Sequence, residues 1–194
     1  MSNYDCDFYR EFIKNNLSEK RYIHCLNVAK KAKELAEFYG KDEEKAEVAG
    51  LLHDVVKEKS FEEHKKILEE TFFSFDEFKD VSYKVLHGPA GKEFVKKNFN
   101  ISDEEILNGI RYHTTGRKDM TLFEKIIFVA DYISEERDWN GVEYVRNLAK
   151  EDINKAVLHK LCKAISNCVM RHQCIHIDTF SAYNQLTNEK KEEF

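Results

Sequence analysis

The chain reads as all-α on three observations. Apolar residues recur at spacings of three and four over most of its length, Lys, Glu, Ala and Leu are abundant, and seven glycines and a single proline leave few helix breakers in 194 residues. Strand-like alternation is scarce. Hydrophobic residues make up 42% of the chain, enough for one sizeable core, and no Pro/Gly/Ser-rich stretch divides it, so a single domain over 1–194 is expected.

Residues near 5–17 form a short amphipathic helix with Phe8, Phe12 and Ile13 as its apolar face. Ser18 supplies an N-cap and Gly40 a stop for a long helix whose stripe is Cys25, Val28, Ala29, Ala32, Leu35, Ala36 and Tyr39, with His24 at the stripe's edge. A helix starting after Asp42 places Ala46, Ala49, His53 and Val56 on one face, which turns His53 inward. Ser60 with Glu63, Ser102 with Glu105 and Thr121 with Glu124 have the spacing of capping boxes. Between them, the aromatic segment 71–85 (Phe72, Phe73, Phe75, Phe78) has no clean period, and its boundaries stay open. Pro89 suits the opening of a helix that runs to about Asn98. A helix over 103–113 sets Ile106, Ile110 and His113 in phase, and one over 122–136 does the same for Phe123, Ile127 and Asp131. Asn140-Gly141 makes a turn. Helices near 142–149 and 152–172 complete the body, the second with Ile153, Val157, Leu161, Ile165 and Val169 as its stripe.

Six side chains able to bind a divalent metal fall in the order His24, His53-Asp54, His87, His113, Asp131. Asp54 lies in the apolar stretch AGLLHDVVK, where a carboxylate is costly to bury without a partner, and a cation is such a partner. Imidazole and carboxylate together suit iron, manganese, cobalt or zinc, whereas all-oxygen ligation favours magnesium or calcium. Helical neighbours differ by about 100°, so His53 and Asp54 can enter one cleft, with Asp54 able to bridge two ions. Such a site can activate water and neutralise a phosphoryl group, which points to phosphate-ester or anhydride hydrolysis. One inward histidine alone is more often a hydrogen-bonded core residue; four histidines and two aspartates in this order carry more weight. His64, His159 and His172 stand in charged contexts and read as surface residues. Cys168, His172, Cys174 and His176 match no common structural-zinc spacing.

The net charge of −5 with interspersed signs excludes the basic stripe of a nucleic-acid binder. No signal peptide or bilayer-length apolar run is visible, which argues against a membrane protein. The five cysteines (Cys6, Cys25, Cys162, Cys168, Cys174) are odd in number and scattered, as expected of a reduced, cytoplasmic chain.

The order of His24, His53-Asp54 and Asp131 resembles the HD-domain superfamily of metal-dependent phosphohydrolases. The segments RYIHCLNVAKKAKELA, AGLLHDVVK, LHGPAG and IRYHTTGRKDMTLFEKIIFVADYISEERDW are similar to the bacterial YqeK-type HD proteins, which hydrolyse diadenosine tetraphosphate symmetrically to two ADP. The likeness runs from about 18 to 185 and implies an all-α HD-domain helical bundle with a metal site between helices. It implies that His24, His53, Asp54 and Asp131 hold the principal metal, iron in this family, as one or two ions. His87 and His113 then complete a second metal position or meet phosphate directly. Lys57 follows the family's HD-x-x-K pattern and would bind a phosphate oxygen or protonate the leaving group; its alternative is a solvated surface lysine. Arg21 and Arg137 would contact phosphate or form structural ion pairs, with Arg137 favoured.

Thr114, Thr115 and Gly116 make a donor-rich loop near the substrate, although a helix stop accounts for Gly116 equally well. IHIDTFSAYNQL resembles a family segment that returns to the nucleotide, which makes Ile175, His176 and Thr179 its candidate contacts; the family's frequent proline near Ile177-Asp178 is absent. The substrate expected is a dinucleoside polyphosphate, with ADP or GDP as product or analogue, and a homodimer is left open. The alternatives are a nucleotidase or cyclic-nucleotide phosphodiesterase on the same metal core, or a non-catalytic ADP/GDP sensor.

Overall fold

A computed structural model describes residues 4–71 and 73–189; Phe72 of the aromatic segment lies outside them. Among the described residues there are ten α-helices, two short 3-10 turns and no strand. Helix α1 (Cys6–Asn16) starts on Asp5 and buries Tyr9 and Ile13, while Phe8 is 49% exposed. Ile13 is buried and Phe12 packs against the core as expected, but Tyr9 takes the place assigned to Phe8. The Tyr9 ring packs 5.2 Å from that of Phe99 and forms an i,i+4 pair with Ile13, an amphipathic side chain doing the work assigned to Phe8.

Ser18 caps α2 (Glu19–Phe38), whose buried stripe runs as expected from Cys25 to Ala36 with His24 added, while Tyr39 falls just past the helix end and is half-buried. Helix α3 (Glu43–Leu52) begins on Asp42 and stops before the His53-Asp54 pair, so this pair lies in a run of tight turns rather than within a helix. Helix α4 (Phe61–Glu69) opens with the complete Ser60–Glu63 capping box. His64 on it is not a surface residue: it is 2% exposed, stacked one turn from Leu68 on the inner face, and its Nε2 donates to the Val56 carbonyl at 2.7 Å. His159 is half-buried among aromatic rings, and His172 is exposed as expected.

The open segment resolves into 3-10 turns at Asp76–Phe78 and Tyr83–Leu86, the second leading directly into α5 (His87–Asn98). Helix α6 (Glu104–Tyr112) starts on Asp103 rather than Ser102. The Asp103 carboxylate accepts from the Glu105 and Ile106 N–H groups and also pairs with Lys45 at 2.8 Å, which outcompetes a hydroxyl cap. Helix α7 (Leu122–Ile133) opens with the Thr121–Glu124 box and ends three residues earlier than expected. Arg146 stops it there, because its guanidinium donates to the carbonyls of Ile133, Ser134, Glu135 and Arg137. Helices α8 (Val142–Glu151) and α9 (Ile153–Met170) meet at Asp152, and α10 (Ile177–Glu189) closes the described chain. Ile153, Val157 and Leu161 are buried on α9, but its last turns outrun the core and leave Val169 59% exposed.

Helix α2 packs on α3 and α7, α6 packs on α3, α5 and α7, and α9 joins α7 to α8 and α10. Helix α7 is the axis: Phe123, Glu124 and Ile126–Ala130 are all buried. A helix apolar on nearly every side has no solvent face, so Asp131 enters the interior with it. No helix among the described residues is long and apolar enough to cross a membrane.

Candidate metal centre

Two close helix approaches build the site. A Cβ on Gly50 of α3 would stand 2.5 Å from the Ala29 Cα of α2, so only glycine permits this spacing. It brings His24 and His53 together, Nε2 to Nε2, at 3.2 Å. Likewise a Cβ on Gly88 of α5 would stand 2.6 Å from the Arg111 carbonyl oxygen of α6. There the Nε2 atoms of His87 and His113 lie 2.9 Å apart.

Backbone carbonyls orient three of the rings. His53 Nδ1 donates to Gly50 O at 2.7 Å, His113 Nδ1 to Ile110 O at 2.7 Å, and His87 Nδ1 to Lys84 O. A carbonyl only accepts, so each Nδ1 carries the hydrogen and each Nε2 turns a lone pair into the site. The same bonds explain the helix ends: Gly50 O and Ile110 O are the acceptors that residues 54 and 114 would need to continue α3 and α6. His24 Nδ1 instead meets Glu136 Oε1 at 2.5 Å, and Ser134 donates to that oxygen at 2.8 Å.

The Asp54 carboxylate sits between the two pairs. Its Oδ2 lies 3.4 Å from His53 Nε2, 3.7 Å from His24 Nε2 and 2.6 Å from Arg21. Its Oδ1 faces His87 and His113 Nε2 at 3.2 and 3.4 Å, and this buried oxygen has no well-formed hydrogen bond. Asp131 Oδ1 lies 3.2 Å from His24 Nε2. Atoms ligating one ion from about 2.1 Å at right angles stand about 3.0 Å apart, close to these separations. Clustered electron-pair donors around an orphaned buried oxygen fit a divalent cation. The metal-competent groups among the described residues are His24/His53/Asp131 and His53/Asp54/His113, sharing His53; Cys168, His172, Cys174 and His176 form none.

The electrostatics agree. Burial pushes His113 down to about 3, aided by His87 and His53, and burial also lowers His87, which keeps both neutral and ready to ligate. Burial pushes Asp54 and Asp131 up, but the neighbouring ammonium groups, Lys57 beside Asp54 and Lys160 beside Asp131, pull the other way and outweigh it. Both carboxyls are held well below their usual range. Glu136, despite its partial burial, is held at about 2 by His24 and Ser134.

Above the cluster is a cleft of about 270 Å³ lined by Arg21, Asp54, Lys57, His113, Thr114, Asp131, Arg137 and Lys160. Lys57 Nζ donates to His87 Nε2 at 2.9 Å, and Thr114 Oγ1 lies 3.0 Å from both His87 and His113 Nε2. Arg137 reaches Asp131 Oδ1 at 2.9 Å. Ile175, His176 and Thr179 do not line this cleft: His176 is buried against the Phe78 ring, and Thr179 donates to the Thr115 carbonyl at 2.9 Å, anchoring the loop after His113. A larger cavity of about 630 Å³ between α4 and α5 holds none of the expected site residues, and its Lys97 pairs with Glu70 and its Lys59 with Glu63. Sequence reasoning missed Glu136 and Lys160. Glu136 is hidden in the charged run SEERD; Lys160 carries a signal, a lysine one turn from Ala156 on the buried stripe of α9.

A helical protein whose buried imidazoles and carboxylates open onto a cation-lined cleft belongs to the class that binds a divalent metal beside an anionic ligand. The HD domain family model matches residues 21–136, and the chain belongs to that family. It is 40% identical over 181 residues to the symmetrical bis(5'-nucleosyl)-tetraphosphatase of Halalkalibacterium halodurans, covering 93% of this chain and 96% of the relative. It is also 40% identical over 176 residues to the protein of the same name from Bacillus subtilis, covering 91% and 94%. A crystal structure from Clostridium acetobutylicum, described as a predicted HD superfamily hydrolase involved in NAD metabolism, superposes with a TM-score of 0.91 at 40% identity, covering 96% of this chain and 98% of that one.

Proposed function

We propose that the protein is a metal-dependent phosphoanhydride hydrolase that splits diadenosine tetraphosphate symmetrically into two ADP. The observation that carries this reading is the His/Asp cluster beneath a cleft lined by Arg21, Lys57, Arg137 and Lys160. The names and coverage of the two bacillar relatives support the substrate. His24, His53, Asp54 and Asp131 would hold the principal ion, with Asp54 Oδ1, His87 and His113 as a second position or a phosphate contact. Iron is the metal proposed, with manganese, cobalt and zinc compatible with the same donors. A divalent ion there supplies Lewis acidity and a lowered pKa for water.

The chain's own groups do the rest. Arg21, Lys57 and Arg137 bind the oxygens of the polyphosphate, neutralising charge that grows on the departing ADP. Lys57 also holds a proton at Nζ, beside His87 Nε2, within reach of a leaving oxygen. The oxygen of water ends on one inner phosphorus and the bridging oxygen leaves with the other ADP. The cleft is sized for phosphates, so the nucleosides lie outside it, and Ile175, His176 and Thr179 remain the proposed contacts on that side. ADP and GDP would bind as product and analogue. We further propose that the chain works as one domain in the cytoplasm, alone or as a homodimer; its described cysteines are all free.

The test is product analysis with iron(II), manganese, cobalt or zinc on a panel of diadenosine tetraphosphate, ADP, GDP, cyclic AMP and NAD. ADP as the sole product, with one labelled oxygen from ¹⁸O-water per pair, is the expected result. ATP with AMP overturns symmetrical cleavage, hydrolysis of cyclic AMP alone favours the phosphodiesterase, and tight ADP or GDP binding without turnover of any compound favours a sensor.

A further inference from the structure

Lys160 is 9% exposed in a protein whose other lysines mostly reach solvent, and it sits among Ala156, Val157 and Leu161 on the buried stripe of α9. An ammonium has three N–H donors, and at this position each finds an oxygen: Phe128 O at 2.7 Å, His113 O at 2.9 Å and Asp131 Oδ2 at 2.9 Å. The ammonium also lies 4.0 Å from the centre of the Phe128 ring. A buried charge is tolerated only when it is paired and fully hydrogen-bonded, and this one is.

The identity of the three acceptors gives the arrangement its meaning. His113 and Asp131 both belong to the donor cluster, yet they come from different helices, the end of α6 and the last turn of α7. Lys160 ties them at one point. It also occupies Oδ2 of Asp131, which leaves Oδ1, where Arg137 donates from the cleft side at 2.9 Å, to face His24 Nε2 at 3.2 Å. A free carboxylate can rotate and present either oxygen or both; one held through Oδ2 presents Oδ1 alone.

We infer that Lys160 is a positioning residue of the metal centre, clamping Asp131 so that a single carboxylate oxygen faces His24 and His53, and fixing the His113 backbone relative to it. The inference rests on the metal reading above and is independent of which nucleotide is cleaved. Residues behind the ligands of metal sites govern affinity through the orientation they impose.

The test uses Co²⁺ as the probe, with affinity from chelator competition and ligand geometry from the visible absorption band. In K160M, which keeps an apolar stem of similar length and removes the ammonium, Co²⁺ affinity should fall about ten- to hundredfold. The visible band should change shape as Asp131 gains freedom, while the far-UV helical signal is retained. Wild-type affinity and band shape in folded K160M overturn the inference. If K160M does not fold, K160Q decides it: its amide keeps two N–H donors for the carbonyls but drops the charge, so weakened Co²⁺ binding is again expected and wild-type affinity again overturns it. Failure of the wild type to take up Co²⁺ would sink the metal reading itself, whereas equal uptake by wild type and variant sinks only the role of Lys160.

Discussion

The two histidine pairs are built alike and surrounded differently. Each arises where a glycine lets two helices touch, at Gly50 against Ala29 and at Gly88 against Arg111. Around His24 and His53, the facing atoms are each other's nitrogens and the oxygens of Asp54 and Asp131. Lone pairs face lone pairs there, with Arg21 and Arg137 bound to the carboxylates rather than to the rings. Around His87 and His113 the protein brings its own hydrogens, from Lys57 Nζ at 2.9 Å and the Thr114 hydroxyl at 3.0 Å. The first pair needs a cation among its acceptors; the second is partly satisfied already. Two like histidine pairs are thus divided by their surrounding donors and acceptors into one that demands a metal and one able to exchange its partners for a second ion or a phosphate.

The largest effect should come from the residues shared by the first pair. Asp54→Ala and His53→Ala are expected to abolish both bound metal and activity while helical content is kept; full metal occupancy in both variants, by elemental analysis, would remove the site. On the second side, His87→Ala and His113→Ala should each lower kcat by about a hundredfold or more yet retain roughly one ion per chain, because what is lost is transition-state stabilisation. Loss of all metal from either variant would place that histidine in the primary site, and full activity in both would make them packing residues.

A smaller effect separates the pairs through their supports. His24 is backed by a carboxylate where the other three rings have carbonyls, so Glu136→Gln should weaken metal binding about tenfold or more without unfolding the chain. An unchanged chelator competition curve would mean that Glu136 merely pairs with His24. The helix contacts supply the mildest comparison. Gly50→Ala and Gly88→Ala should each cost about 1–3 kcal/mol of stability through overpacking. Only Gly50→Ala should also impair uptake of the first metal; the reverse pattern would mean that the Gly88 contact governs it.

The helices were legible because their signals are local. Ser18, Ser60 and Thr121 cap where their spacing says, and the α2 stripe packs as its period predicts. Where expectation failed, a tertiary contact had overridden local pattern: the pairing of Asp103 with Lys45 moved the start of α6, and Arg146 set the end of α7. The helix after Asp42 was expected to run through His53-Asp54, but the imidazole takes the carbonyl that would have continued it. All six expected donor side chains converge: the helical period turned His53, His113 and Asp131 inward, while His24, Asp54 and His87 were legible only from their order along the chain. Glu136 and Lys160 were not read, since their partners His24, His113 and Asp131 are distant in sequence and only the fold brings them together.

The claim at the centre is that the all-acceptor cluster of His24, His53, Asp54 and Asp131 takes a metal first. Crystals of the purified protein, measured at the absorption edges of iron, manganese, cobalt and zinc, would locate it by anomalous scattering. The account predicts a strong peak within reach of His24, His53 and Asp131, with any second peak between Asp54, His87 and His113 at lower occupancy. No peak at the first position, or a peak at the second alone, would contradict it.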